Sequence, residues 1–201
     1  LYTRAVGQRL VAVLDELTLT RGAPVWGEKT PRHLQYLRRI EQSCEDGVRT
    51  RFVHIVRDGL QTVASLHKAS RGWEKPYDLK TCVRRWNQDM ARTVSRIGSP
   101  NHLLVRYEAL ASNPESVLRP LLAALGLDWQ SDLPERAQTM APVLITGEES
   151  WKHGNDQPIP PSAGNAAGLS AADRTRVMSA LRHHYYELTM QYALEEPTPH
   201  G

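Results

Sequence analysis

The chain has 201 residues, 40% of them hydrophobic, which is enough to bury one substantial core, and its length favours a single domain. A formal charge of +3 is too mild to argue for nucleic acid, no apolar run is long enough to span a bilayer, and the charged N-terminal "LYTRAVGQRLVAVLDEL" makes a poor signal peptide or anchor. There are 20 arginines against 5 lysines, which reads either as base-composition bias or as a preference for anionic ligands whose geometry matches a guanidinium fork. Cys44 and Cys82 have neither metal-ligand spacing nor a disulfide framework, and they favour a reducing, cytoplasmic setting.

In chain order, Val6, Leu10, Val13, Leu14 and Leu17 recur at helical spacing and predict a helix over 3–20. The stretch "VWGEKTPRHLQYL" follows. Val25 and Trp26 read as the end of a buried strand, Thr30-Pro31 as the start of a helix, and Leu34 and Leu37 as its first core positions, with the helix running to about Cys44. This puts Lys29 at the C-terminal mouth of a strand, the edge of an open α/β sheet where ligands bind.

"RFVHIVRDG" predicts a strand from Phe52 to Val56, and Asp58 caps a helix over "GLQTVASLHKAS". Leu79, Cys82, Val83, Trp86, Met90, Val94 and Ile97 form an amphipathic helix that closes at Gly98-Ser99-Pro100. A second strand runs from His102 to Arg106. It is followed by a helix with Asn113 as cap, Pro114 at its first position and a kink at Pro120. Residues 131–169 are rich in Pro, Gly, Ser and Asn and read as loops. A last helix over 170–193 turns Val177, Leu181, Tyr185, Leu188 and Tyr192 inward. Strands alternating with helices imply a parallel sheet covered on both faces.

Three pieces, "WGEKTPRH", "FVHIVRDGLQTVASLHKAS" and "LLVRYEALASNPESVLRPLLAALGL", together resemble the sulfotransferases that use 3′-phosphoadenosine 5′-phosphosulfate (PAPS), in the broad branch with tyrosylprotein, glycosaminoglycan and many bacterial enzymes. The resemblance is best over residues 20–130 and implies one domain over 1–201. It implies an α/β fold: a three-layer parallel sheet with helices on both faces, akin to P-loop NTPases. In that family an arginine at a strand end and a serine eight residues later hold the 3′-phosphate, the spacing of Arg57 and Ser65 here. Ser65 lies almost two turns beyond Asp58 and so returns to the cap's side of the helix, about 10 Å along it. At that distance side chains rather than the helix dipole must hold the phosphate.

The family's "KTP" lysine, Lys29 here, points at the sulfonyl group and the bridging oxygen, where positioning and charge do most of the work. Tyr107 matches a tyrosine near the cofactor. Glu28 and His33 are candidates for the base, and Lys152, Ser162 and Asn165 fall in the late stretch where family members close over the nucleotide. Each position also admits a plainer role: a surface ion pair for Arg57, packing for Ser65, solvation for Lys29, a core ring with its hydroxyl at the rim for Tyr107, a helix-surface imidazole for His33, and a surface loop around Lys152.

The resemblance implies sulfonyl transfer from PAPS to a hydroxyl or amine acceptor that the sequence does not identify, without a metal, in a cytoplasmic, bacterial setting. The family's Gly/Ser/Thr loop for the 5′-phosphosulfate is missing from these residues, which leads to the expectation that the chain begins inside the domain. A non-catalytic fragment that binds a nucleotide weakly, or a protein partner, is the alternative. A P-loop kinase would need "GxxxxGK[ST]", which the sequence lacks.

Overall fold

A computed structural model describes residues 4–30, 32–44, 50–140, 166 and 168–194. The chain divides into two compact units, Leu1–Arg51 and Phe52–Gly201.

The first unit holds helix α1, Arg4–Thr20, then an irregular stretch, a 3-10 turn at His33–Tyr36, and helix α2, Leu37–Ser43. The helical periodicity of α1 is as expected, but its apolar stripe is only half covered: Val6, Leu10, Val13 and Leu17 each remain about 50% exposed. Val25 and Trp26 form no strand, and Val25 is exposed. An extended segment becomes a strand only when a neighbour takes up its N–H and C=O groups, and no described residue does so here. Trp26 is held by its side chain instead, the indole N–H donating to Asp15 Oδ1 at 2.7 Å. Leu37 is buried as expected, while Leu34 is only partly so.

The second unit carries the sheet. Strand β1, Phe52–Val56, pairs in parallel with β2, His102–Arg106, placing Phe52 opposite His102 and Val56 opposite Arg106. Between them run α3, Gly59–Ser70, and α4, Leu79–Val94. The two strands, the capping of α3 by Asp58 and the capping of the later helix by Asn113 all match the sequence reading. Helix α4 ends three residues before Ile97, in a run of turns that reaches Gly98 at a positive φ of 81°. The main core joins Val56 and Leu104 to Val63 and Ala64 of α3 and to Cys82, Val83, Trp86 and Met90 of α4.

The described sheet has two strands, and coverage differs between them. His54 and Val56 point into the core while Val53 and Ile55 on the other face are 41% and 61% exposed, so β1 is covered on one side only. In β2, successive residues Leu104 and Val105 are both buried, and their side chains point to opposite faces. A two-strand sheet with one crossover needs only one face of its first strand for the connecting helices, which explains the bare side of β1.

After β2 come α5, Tyr107–Ser112, α6, Pro114–Leu125, and α7, Leu133–Met140. Neither α5 nor α7 is legible in the sequence. The first is a turn and a half long with no side-chain cap, and the second lies in the stretch read as loop and buries no residue. Helix α6 runs through Pro120 to Leu125.

The expected single C-terminal helix is two, α8, Ala171–Ala180, and α9, His183–Met190. The apolar spacing runs on unbroken, but Asn87 of α4 clips the corner. Its amide donates to Ala180 O at 3.0 Å and accepts from the Arg182 N–H at 2.9 Å, leaving Leu181 extended. Val177 and Leu181 are buried as expected. Leu188 and Tyr192 are exposed, and Thr189 takes the inward position. Past α9, the Leu194 N–H donates to Leu104 O at 2.8 Å, so the chain touches the free edge of β2.

Candidate functional site

Arg57 and Asp58 form the turn between β1 and α3. Asp58 caps α3 with a non-helical backbone, and its Oδ1 accepts from the Gln61 N–H at 2.9 Å, which satisfies one of the free donors at the start of α3. The peptide unit joining Arg57 to Asp58 is held at both ends. Its C=O accepts from Trp86 Nε1 at 3.3 Å, and its N–H donates to Glu108 Oε1 at 2.9 Å. The Arg57 guanidinium lies over the Tyr107 ring, 4.3 Å from its centroid, a cation–π seat that fixes the far end of the side chain. The Arg57 Nε is buried without a hydrogen-bond partner among the described residues. A half-seated cation with a dry, unused donor is suited to an anion.

Tyr107 is thus the first residue of α5, and its ring lies beneath Arg57. Ser65 is partly buried on α3, and its hydroxyl makes no hydrogen bond to a described residue. Glu108 was not singled out in the sequence, although it follows Tyr107 directly. Its second oxygen, Oε2, accepts from the Tyr186 hydroxyl at 2.8 Å. Burial, and then the neighbouring Glu108 carboxylate, push the Tyr186 hydroxyl well above the usual tyrosine range, so it stays a donor.

Lys152, Ser162 and Asn165 lie outside the described residues. Ala166, which is described, is buried, and its N–H donates to Gln61 Oε1 at 3.2 Å. Gln61, one turn before Ser65 on α3, is therefore a further residue that sequence reasoning missed. Only contact with a segment 105 residues away reveals it.

In the first unit, Lys29 is exposed and stands in an irregular stretch, not at a strand mouth. Glu28 and His33 come together, with His33 Nδ1 at 2.9 Å from Glu28 Oε2, and the Thr30 hydroxyl donates to Glu28 Oε1. A carboxylate can only accept, so His33 donates to it from Nδ1. Arg32, which directly precedes the helical turn that His33 opens, sits in the left-handed region at φ 76°.

No group of three or more His, Cys, Asp or Glu among the described residues is placed to hold a metal ion, and no described helix is long and apolar enough to cross a membrane. A search of curated proteins finds no match. Among solved structures the chain is similar to a sulfotransferase domain from the curacin biosynthetic pathway, with a TM-score of 0.54 and 16% identity over 94% of this chain and 69% of that one. At this identity the likeness speaks for the fold, an α/β arrangement around a parallel sheet. The model of the sulfotransferase family matches residues 2–131, more than half of the chain and all three of the motif stretches. The chain belongs to the sulfotransferase family.

Proposed function

We propose that this protein transfers a sulfonyl group from PAPS to a hydroxyl or amine acceptor. The observation that carries the reading is the Arg57 turn: a guanidinium seated on an aromatic face, its backbone held at both ends and its Nε buried with no hydrogen-bond partner among the described residues. Such an arrangement is pre-organised for a phosphate, since little freedom remains to be lost on binding. In this reading Arg57 and Ser65 hold the 3′-phosphate, and Tyr107 keeps the guanidinium in place.

Lys29 takes its role from the motif around it, a compact positive charge that stabilises the bridging oxygen as the sulfur–oxygen bond to the 5′-phosphate breaks. The acceptor's proton passes to His33 Nε2, with Glu28 holding the imidazole in the required tautomer. The new bond joins sulfur to the acceptor atom, and adenosine 3′,5′-bisphosphate leaves.

The test is a pair of calorimetric titrations, with adenosine 3′,5′-bisphosphate and with AMP, which lacks the 3′-phosphate. Arg57→Ala should weaken the first by about 1.5–3 kcal/mol, as expected for a charge-assisted contact, and hardly change the second. Equal losses on both would show that Arg57 does not read the 3′-phosphate. Selective binding with no bisphosphate release across a panel of acceptors would leave a nucleotide binder in place of an enzyme.

A further inference from the structure

We infer that Glu108 is a positioning residue for Arg57, oriented in turn by Tyr186, so that α9 braces the anion-reading turn between β1 and α3. The inference rests on the assignment of Arg57 to the 3′-phosphate. Where a side chain leaves the backbone depends on the orientation of the adjoining peptide plane, and here one plane carries both constraints. Trp86 holds its C=O and Glu108 holds its N–H, contacts made 29 and 50 residues away in sequence.

Glu108 has two oxygens with distinct tasks. Oε1 takes the Asp58 N–H at 2.9 Å, and Oε2 takes the Tyr186 hydroxyl at 2.8 Å. The second bond fixes the rotation of the carboxylate, and hence the direction from which the first is made. Tyr107, the residue before Glu108, supplies the ring beneath the guanidinium. One dipeptide therefore fixes Arg57 at both ends, the backbone through Glu108 and the charge through Tyr107.

The experiment uses the whole chain, with adenosine 3′,5′-bisphosphate and AMP as probes. Glu108→Ala should weaken bisphosphate binding about tenfold and AMP binding less than twofold, and Tyr186→Phe should show the same selectivity at about threefold, in keeping with the loss of the bonds to both Asp58 and Tyr186 in the first and of the Tyr186 bond alone in the second. In an Arg57→Ala background neither change should have any further effect, because residues that act through one another are not additive. Equal weakening of both probes, or full additivity with Arg57→Ala, would overturn the positioning role.

If Glu108→Ala does not fold, Glu108→Gln keeps an acceptor for Asp58 and should show an intermediate, still selective loss. NMR-detected exchange of the Asp58 amide gives a readout without any ligand. Its rate should rise severalfold in Glu108→Gln and Tyr186→Phe, and an unchanged rate would count against the brace. Should Arg57→Ala weaken both nucleotides equally while exchange responds as stated, the nucleotide reading falls and the brace stands.

Discussion

The Glu28–Lys29–Thr30 stretch and the Arg57–Asp58–Gly59 turn are equally plain as motifs, yet they are held in opposite ways. Glu28 is tied to Thr30 and His33, two and five residues away. The Arg57 turn is tied to Trp86 and Glu108, 29 and 50 residues away, and its guanidinium rests on Tyr107. Local ties fix a side chain relative to its own segment, and long-range ties fix it relative to the core. Substitutions in the first stretch should therefore act on chemistry with little cost in stability, while those around the turn should couple binding to folding.

The largest expected effect is at Lys29. It is exposed, so Lys29→Ala should leave the melting temperature unchanged. If its charge acts on the bridging oxygen, kcat should fall about a hundredfold or more while KM for PAPS barely moves, the mark of an interaction stronger in the transition state than in the ground state. Lys29→Arg should restore little, because a planar fork does not replace a point charge. A bisphosphate-release assay checks this. Near-normal turnover in Lys29→Ala would reduce the lysine to a solvated residue, and the contrast between the two regions would lose its catalytic half.

Gly59 tests the other side. A Cβ there would meet Leu181 Cδ1 at 2.9 Å and the Trp86 ring at 3.0 and 3.1 Å. The Leu181 methyl can swing away, but the Trp86 ring is tethered through Nε1 to Arg57 O. Alanine would gain up to about 1 kcal/mol of helix propensity, less at a first position, against about 1–3 kcal/mol for overpacking. Gly59→Ala should thus lower the melting temperature by several degrees and, by pushing Trp86 from the Arg57 carbonyl, weaken bisphosphate binding as well. A stabilised variant with unchanged affinity would show that the contact yields freely and that the turn is not coupled to the core.

The same contrast marks how far the sequence could be read. Both strands, the Asp58 and Asn113 caps and the boundaries of α3 were legible, because each depends on residues within one turn or one apolar run. What was not legible was decided at a distance. Asn87 splits the C-terminal helix at Leu181 with no Gly or Pro to announce it, and Val25-Trp26 has strand-like residues but no described neighbour to pair with. In the candidate site, Arg57 and Tyr107 could be proposed from their motifs. Glu108, Trp86, Gln61 and Tyr186 owe their roles to contacts across 29 to 105 residues.

Ser65→Ala should have a smaller effect than either. The hydroxyl has no hydrogen bond to a described residue, so its loss leaves nothing unsatisfied in the free protein. Bisphosphate affinity should drop by about 1 kcal/mol and AMP affinity should hold, with an unchanged melting temperature. A lower melting temperature with intact affinity would make Ser65 a packing residue and confine phosphate reading to the turn.

The smallest effect is expected at Arg32, where local geometry alone is at stake. A non-glycine residue at φ 76° costs about 1–2 kcal/mol, and the exposed bond from Arg32 Nη2 to Gln35 Oε1 at 2.9 Å returns only a fraction of that. Glycine adopts this conformation freely but adds freedom to the unfolded chain, so Arg32→Gly should stabilise by only about 0.5 kcal/mol. Arg32→Asn should fall between the two, since asparagine tolerates the left-handed region better than arginine does. Both variants should bind adenosine 3′,5′-bisphosphate as the parent does, because nothing tied to the Arg57 turn is touched. Thermal melts and the two titrations check this together. A melting temperature lowered by Arg32→Gly would mean that the arginine side chain, and not the backbone, holds the turn before His33. A selective loss of bisphosphate affinity would mean that this stretch is not held by its neighbours alone, and the distinction drawn between the two motifs would fail at its simplest point.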